Sequence, residues 1–429
     1  MKTIAKTLSR IAGVVMALAA SAGVASAERI TISGAKVHVK PGRTLETATV
    51  VIDGGKIVSV TAGAAPLPVA APGARVIDGK GKVVTAGFIE TASGVGLQGV
   101  IQESGANDGV FGARDEVHAD PVHAAYDARD GFDPRGVTVP VARSGGITTV
   151  VAAPGGGLIA GQSAVFTLDG ASEPVPGVSS MHAELGSGGG AAVGGSRGRA
   201  IELLREVLDD ARVYGRDRAG YERNAKRQLI ADRLDLEALQ PVLRGAVPLF
   251  VNAHAEADIR AALRIARELR VRLVIVGGTE AWRVAAELGK AKVPVVLDPT
   301  DNLPRMLEAS DVRDERATIL ANAGVPVAVS TLGSGLQART LRQLAGIAVG
   351  YGLQWDDGLA AVTTVPAAMH GLKGRGTVEK GAIADVVVWS GDPLELMTAA
   401  EVVIIGGVVQ PDVSHQTLLL DRYKTLPAR

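Results

Sequence analysis

The chain has 429 residues, of which 47% are hydrophobic and only 3% aromatic, so a core of mainly Ala, Val, Leu and Ile is expected. It contains no cysteine, which excludes disulfide bonds, thiolate zinc sites and cysteine nucleophiles. Its 45 basic and 45 acidic residues balance, and this argues against a nucleic-acid partner, which usually needs a basic face.

The first 27 residues have the three parts of a cleaved secretory signal. The basic start, the apolar run and the small-residue cleavage site are Lys2, Lys6 and Arg10, residues 11–20, and residues 25–27. The apolar run is short for a membrane span, so cleavage is favoured over a membrane anchor. Cleavage removes three of the 45 basic residues and none of the 45 acidic ones, leaving a net charge of −3. The sequence therefore predicts an exported, periplasmic protein with no membrane span after cleavage.

Both ends of the remaining chain have the pattern of short strands broken by glycine turns. Residues 30–39 and 48–60 alternate apolar and polar side chains around a turn at Asp53-Gly54-Gly55, as in a hairpin. Residues 376–393 and 401–410 repeat this pattern near the other end. We therefore expect one small β domain, a β-sandwich, built from both termini.

The middle of the chain alternates buried strands with helices. The apolar, β-branched segments typical of parallel strands are residues 146–154, 246–254, 272–278, 293–299 and 325–333. Between them, residues 257–270 and 279–291 have helical spacing of their apolar side chains. This α/β order predicts an eight-stranded (β/α) barrel of the TIM type, with a doubly wound sheet as the competing interpretation.

These patterns predict the organisation of the whole chain. It comprises a signal peptide (residues 1–27), a first β-sandwich part (28–84), a barrel (85–370) and a second β-sandwich part (371–429). Within the barrel, the glycine-rich residues 186–198 lack the phosphate-binding pattern and are expected to form a flexible crossing or a lid.

Five segments resemble the amidohydrolase superfamily, close to its imidazolonepropionase-like members, and they occur in the family's order. These segments are residues 55–60, 74–90, 145–170, 251–282 and 358–393. The resemblance covers nearly the whole sequence after the signal. It implies a metal-dependent barrel hydrolase that cleaves C–N bonds in cyclic or open amides, with a β-sandwich from both chain ends.

The chain departs from this family at the metal ligands. The family has a His-x-His pair on the first barrel strand, two further histidines, a bridging lysine in some members, and an aspartate that is both ligand and base. The residues that the resemblance places at these positions are Thr91, Ser93, Asn252, Gly277, Thr167 and Ser330. Such side chains neither bind a divalent ion nor accept a proton from its water. No metal or other cofactor is expected, and the hydroxyl groups predict a pocket that binds water.

Three other side chains are candidates for a remnant pocket. His254 follows a buried strand near the barrel mouth, and His182 and Glu184 have the spacing that places both on one strand face. Together they are also the donors for an alternative site holding zinc or another divalent metal. His118 and His123 are expected on a surface loop, and Asp298 as either a pocket carboxylate or a helix cap.

Three hypotheses about function remain open, because function depends on the site and not on the fold. The favoured one is an amidohydrolase-family protein with an eroded metal site whose pocket binds a small amide-like ligand. The second is an active hydrolase of non-peptide C–N bonds with a non-standard site. The third is an interaction protein, a homodimer or the partner subunit of an intact amidohydrolase.

Overall fold

The computed structural model describes residues 28–66, 73–99, 103–110, 120–177, 179–225, 227–304, 307–333 and 335–425. The predicted signal, residues 1–27, lies outside these ranges, and so does His118. No helix within the described ranges combines the length and the apolar character that crossing a membrane requires.

Strands dominate the two ends of the chain and recur singly in its middle. In chain order they are β1 Arg29–Lys40, β2 Arg43–Asp53, β3 Lys56–Ala62, β4 Ala74–Asp78, β5 Val83–Ala86, β6 Phe88–Ser93, β7 Ile147–Ala152, β8 Ile159–Gln162, β9 Ala164–Thr167, β10 Met181–Glu184, β11 Leu249–Ala253, β12 Leu273–Gly277, β13 Val295–Leu297, β14 Val327–Val329, β15 Val386–Trp389, β16 Ala400–Ile405 and β17 Val408–Val409. All five strand segments predicted in the middle of the chain are present, as β7 and β11 to β14.

Helices occupy the stretches between the central strands. They are α1 Ala128–Gly131, α2 Thr138–Ser144, α3 Gly186–Ala192, α4 Arg197–Arg216, α5 Arg218–Glu222, α6 Arg233–Ala238, α7 Gln240–Leu243, α8 Glu256–Leu269, α9 Ala285–Ala291, α10 Arg316–Asn322, α11 Leu341–Gly350, α12 Trp355–Ala360, α13 Thr364–His370 and α14 His415–Tyr423. Single turns of 3-10 helix lie at Ser104–Ala106, Ala281–Val284, Leu307–Ala309 and Ala338–Thr340.

Strands from both chain ends join one eight-stranded sheet in the order β17-β16-β15-β5-β1-β2-β3, with β4 paired to β1. The two ends meet where β15 pairs with β5, from Val386 opposite Ala86 to Trp389 opposite Val83. The predicted hairpin between β2 and β3 turns at Gly54 and Gly55, whose φ values of 56° and 77° suit glycine. The pairing of the two termini, which the sequence predicts, is therefore present as a sheet.

A second sheet contains the buried strands of the middle, in the order β14-β13-β12-β11-β10-β8. Strands β10 to β14 are parallel, and β8 runs antiparallel to β10. One face of these strands packs under the helices, with α8 contributing Ile259, Leu263 and Ile265. Parallel strands covered on both faces read as continuous apolar runs, which explains why they could be predicted. The chain is thus a mixed α/β protein.

A third sheet of three strands, β6-β7-β9, lies beside the second. Its first strand reaches the second sheet through a parallel bridge between Ser93 and Gly333, which follows β14. On the other side β8 and β9 are consecutive in the chain, and Ser163 between them donates its backbone N–H to the Ser180 carbonyl at 2.8 Å. Ala92 of β6 and residues 331–333, which follow β14, consequently line one cavity.

The glycine-rich residues 186–198 are not the loop that the sequence predicts. They contain helix α3, a turn at Gly194 and Gly195, and the start of α4. Helix α3 forms in spite of its four glycines in seven residues because the Glu308 carboxylate accepts hydrogen bonds from the Ser187 backbone N–H (2.6 Å) and hydroxyl (2.7 Å). The side chain of Ser196 caps α4, which begins at Arg197.

Candidate functional site

A cavity of about 530 Å³ lies at the carboxyl ends of the parallel strands. Its lining includes Glu184 and Asn252 at the ends of β10 and β11, Val276 near the end of β12, and Asp298 directly after β13. The ends of parallel strands in α/β folds are where ligands usually bind, because the loops that follow the strands meet there. This cavity is the candidate site.

His182 and Glu184 both face this cavity, as their spacing on β10 predicts. Nε2 of His182 lies 3.1 Å from the Ser180 hydroxyl, and its ring is tilted against Phe250 with centroids 5.2 Å apart. Burial, with a smaller contribution from nearby His370, lowers the pKa of His182 to about 3, so the imidazole is neutral at physiological pH.

Glu184 is the most unusual titratable group of the cavity. Burial, and then the neighbouring Glu308, raise the pKa of the Glu184 carboxyl to about 7. A carboxyl with this pKa exchanges a proton near neutral pH, which suits a general acid or base. Glu308 itself was not among the predicted site residues, and no local sequence signal marks it.

His254 also lines the cavity, and a hydrogen bond at one ring nitrogen holds its side chain in place. Its Nδ1 is 2.7 Å from the Thr279 hydroxyl, and burial lowers the pKa of the imidazole below its ordinary value. The ring lies against Gly277, where a β-carbon would come within 2.6 Å of the His254 Cε1 atom and 3.0 Å of the Asn252 amide oxygen. Gly277 therefore leaves the room that the His254 ring occupies.

The cavity wall on β6 differs from the sequence-based expectation. Ala92 lines the cavity, whereas Thr91 and Ser93 are fully buried and bonded elsewhere. The Thr91 hydroxyl lies 2.7 Å from Nε2 of His370, and the Ser93 hydroxyl accepts from the Val95 backbone N–H. Side chains alternate along a strand, so Ala92 lies on the face opposite to that of Thr91 and Ser93, and it is the Ala92 face that meets the cavity.

The remaining family positions have three different surroundings. Asn252 lines the cavity, as a remnant ligand position would. Ser330 is fully buried and donates its hydroxyl to the Glu90 carboxylate. Thr167, at the end of β9, donates its hydroxyl to Asp169 at 2.9 Å, away from the cavity.

Glu90 is a buried carboxyl that the sequence did not indicate as a functional group. It has no exposed surface and receives hydrogen bonds from the Ser330 hydroxyl and from the Thr331 backbone N–H (3.2 Å) and hydroxyl (3.0 Å). Burial raises the pKa of Glu90, while these hydrogen bonds act in the opposite direction. Both carboxylate oxygens accept hydrogen bonds from these donors, so Glu90 ties β6 to the segment after β14.

His370, at the end of α13, is the second buried group that sequence reasoning missed. Its ring stacks on Phe250 with centroids 5.0 Å apart, so Phe250 separates His370 from His182. Burial lowers the pKa of His370 to about 4. A histidine within an apolar helical segment, as in residues 364–370, is the signal that could have indicated it.

The other predicted residues have local roles. Asp298 lines the cavity but accepts hydrogen bonds from the Thr300 backbone N–H (2.8 Å) and hydroxyl (2.6 Å), so it closes a turn and caps no helix. His123 lies on a segment whose backbone pairs with β8, where its N–H donates to the Ile159 carbonyl at 2.8 Å.

The donor set does not fit a family-type divalent ion. Within the described ranges, no three His, Asp or Glu side chains approach closely enough to hold a metal. One ring nitrogen of His182 and one of His254 are already engaged by Ser180 and Thr279. Ala92 offers no donor atom, and Glu90 is saturated by its hydroxyl and N–H partners. The cavity is instead an acidic, partly apolar pocket with two neutral imidazoles.

Comparisons with known proteins agree with this architecture. The profile described as "Amidohydrolase family" matches residues 321–410. Amidohydrolase tasK of Hapsidospora irregularis is 27% identical over 375 residues, which are 79% of this chain but only 37% of that protein. The chain thus spans little more than a third of the length of this curated relative.

Two solved structures extend the likeness to the fold. An amidohydrolase from Thermotoga maritima MSB8 superposes with a TM-score of 0.76 at 27% identity, covering 89% of this chain and 99% of that one. Molinate hydrolase superposes with a TM-score of 0.56 at 18% identity, over 90% and 95% of the two chains, and supports the fold alone. In the sequence match, in the relative and in the shared architecture, the chain is similar to proteins of the amidohydrolase superfamily.

Proposed function

We propose that this protein binds a small amide-like ligand in the cavity at the strand ends and has lost the metal-dependent hydrolysis of its superfamily. The observation that carries the proposal is the donor set: Ala92 and Asn252 face the cavity, and no three His, Asp or Glu side chains in the described part of the chain come close enough to hold a metal. Erosion of the ligands leaves the cavity itself intact, at about 530 Å³, which is within the range of small-molecule sites.

The lining indicates the polarity of that ligand. Three carboxyl groups, those of Glu184, Asp298 and Asp301, line the cavity, and its described lining includes no lysine or arginine. Amide groups of Asn252 and Gln98 can pair with both the N–H and the C=O of an amide. We therefore favour a neutral or positively charged amide over an anionic one.

The second candidate is a hydrolase of non-peptide C–N bonds that works without the family's metal set. The Glu184 carboxyl favours it, because a pKa of about 7 allows it to take a proton from water in the cavity. In that reaction the water oxygen attacks the amide carbon, and the C–N bond breaks. Glu184 takes a proton from the water and returns it to the leaving nitrogen. Its rate rises with pH through about 7, as Glu184 ionises.

The proposal also covers architecture and location. The bridge from β6 to β14 and the continuity of β8 with β9 support closure of the second and third sheets into one (β/α) barrel. The paired termini support a β-sandwich domain beside it. Export to the periplasm rests on residues 1–27. Pairing with an intact amidohydrolase is the remaining alternative and is tested by co-purification.

Metal content of the purified full chain, measured by elemental mass spectrometry after dialysis without chelator, tests this function. We expect well under one equivalent of zinc, iron, manganese or nickel, and thermal stabilisation by cyclic amides such as hydantoin without their hydrolysis. Glu184→Gln and His254→Asn should abolish that stabilisation, and the exposed Glu46→Gln serves as the matched control. Stoichiometric metal that both cavity variants lose and the control retains would overturn the proposal.

A further inference from the structure

A second cavity, of about 610 Å³, lies at the opposite ends of the same strands. Its lining includes Pro248, Pro294 and Pro326, which directly precede the first residues of β11, β13 and β14, respectively. The first cavity lies at the carboxyl ends of these strands and the second at their amino ends. The two cavities share no lining residue.

The walls of the second cavity are apolar. Its lining includes Leu263 of α8, Val274 of β12, and Val365 and Met369 of α13. The three prolines have no N–H group, and their carbonyls accept from the backbone N–H groups of Met181, Ile275 and Val295 at 2.9–3.0 Å. The strand starts therefore present no unpaired backbone donor to this space, which suits a hydrocarbon group.

Three cations also line this cavity, and its described lining contains no carboxylate. They are Arg267, Arg272 and Lys292, all exposed, and the structure describes no ion pair for any of them. The charge of Arg272 also affects a buried group. Burial is the main cause of the lowered pKa of His370, the residue after Met369, and the positive charge of Arg272 lowers it further. The charge of this cavity is thus opposite to that of the acidic first cavity.

We propose that this second cavity binds an amphiphilic anion, with the hydrocarbon chain between α8, α13 and the strand starts and the carboxylate paired with Arg267, Arg272 and Lys292. Apolar walls alone would accept any hydrocarbon, but guanidinium groups favour a carboxylate by charge-assisted, bidentate hydrogen bonds. Arg272 donates one N–H to the Ala246 carbonyl at 3.4 Å and, like Arg267, has no ion pair in the described part of the chain. The site is independent of the amide site and does not depend on the function proposed for it.

Calorimetric titration of the full chain with decanoate, below its micellar range and at low ionic strength, tests the proposal. We expect one saturable site, weaker binding of decanol, and none of decyltrimethylammonium. Arg267→Gln combined with Arg272→Gln should weaken decanoate binding by about tenfold or more, since two charge-assisted contacts are lost. Arg264→Gln, on the same helix α8 but outside the lining, is the matched control and should leave the affinity unchanged.

Two further variants identify the cavity that is occupied. Ala368→Trp on α13 places a large ring at the cavity wall and should reduce the binding of both decanoate and decanol. Glu184→Gln, in the first cavity, should leave decanoate binding unchanged. Absence of saturable binding, or equal affinity in the double arginine variant and the Arg264→Gln control, would overturn the proposal. So would equally tight binding of the ammonium amphiphile.

Discussion

Glu90 is a buried carboxyl whose hydrogen bonds give it a structural role. Its carboxyl is out of contact with solvent and bonded to Ser330 and Thr331. Ser330 and Thr331 stand in the segment where the family resemblance expects a catalytic aspartate. The hydroxyls there satisfy Glu90, so this corner of the site is a hydrogen-bonded contact between two strands.

Replacing Glu90 with alanine should lower the free energy of unfolding by about 2–4 kcal/mol, because the buried carboxylate that accepts hydrogen bonds from Ser330 and Thr331 is lost and a cavity takes its place. Glu90→Gln keeps an acceptor and should cost less. Urea denaturation measures both, and the exposed Glu46→Ala should stay within about 0.5 kcal/mol of the original chain. A Glu90→Ala variant as stable as this control would contradict the role of Glu90.

Glu184 gives the protein a specific pH dependence. Its folded-state pKa of about 7 lies above the ordinary value of 4.5, so the folded state binds the proton more tightly than the unfolded state. The associated stability is fully present below about pH 4.5 and is lost as the pH rises to 7.

Glu184→Gln should therefore stabilise the protein at pH 8, by about 1–3 kcal/mol after allowance for solvent in the cavity. The gain should shrink as the pH falls to 4.5 and below, where the original carboxyl becomes protonated in both the folded and the unfolded state. Urea midpoints of the two proteins across this range provide the measurement. A difference that does not change with pH would show that Glu184 titrates normally.

At the scale of elements, helix α3 illustrates how glycines can serve packing. Gly188 faces the Glu184 carboxylate, where a β-carbon would lie 1.7 Å from Oε1, and Gly189 faces the Glu184 backbone carbonyl at 2.1 Å. A side-chain carboxylate can rotate away, but a strand carbonyl cannot. The glycine-rich sequence thus allows α3 to lie directly against the end of β10.

Alanine at these two positions should have unequal effects. Gly189→Ala should destabilise the fold by about 1–3 kcal/mol through overpacking against β10. Gly188→Ala should cost much less but displace the Glu184 carboxyl, removing the pH dependence described above. Gly198→Ala, in α4 with open space around it, should be neutral or stabilising by up to about 1 kcal/mol. Thermal unfolding compares the three, and similar losses at positions 188 and 189 would contradict this packing.

On the scale of the whole molecule, Trp389 connects the eight-stranded sheet to the rest of the chain. It is fully buried on β15, donates its indole N–H to the Thr85 hydroxyl at 2.9 Å and packs 5.0 Å from the Phe88 ring. A single core cluster contains Trp389 together with Ile147 of β7 and Leu341 of α11. The sheet of the termini and the central part therefore share a core.

Trp389→Ala should cost about 3–5 kcal/mol, as for other large-to-small changes in cores, and unfolding should remain a single transition. Far-UV circular dichroism and the fluorescence of Trp282 and Trp355 should report the same midpoint. Trp282→Phe is the control, since the Trp282 ring lies between the cations of Arg283 and Arg313. Two separate midpoints would contradict a shared core.

The sequence by itself determined the mixed α/β class, the positions of the central strands, the pairing of both chain ends and the likeness to amidohydrolases. These features depend on local periodicity and on long apolar runs. Such patterns extend along a whole strand or helix, so they can be recognised in the sequence. It also indicated that His182, Glu184 and His254 belong to one cavity, because residues at strand ends converge in parallel sheets.

Only the tertiary structure decided which side chains face that cavity and with which charge. Packing places Ala92 of β6 at the wall and buries Thr91 and Ser93 on the other face of the strand, and the residue types at positions 88–93 do not indicate which face meets the cavity. The raised pKa of Glu184, the enclosure of Glu90 and the stacking of His370 on Phe250 all arise from groups distant in the chain. Burial and charge are sums over such neighbours, so they exist only once the chain is folded.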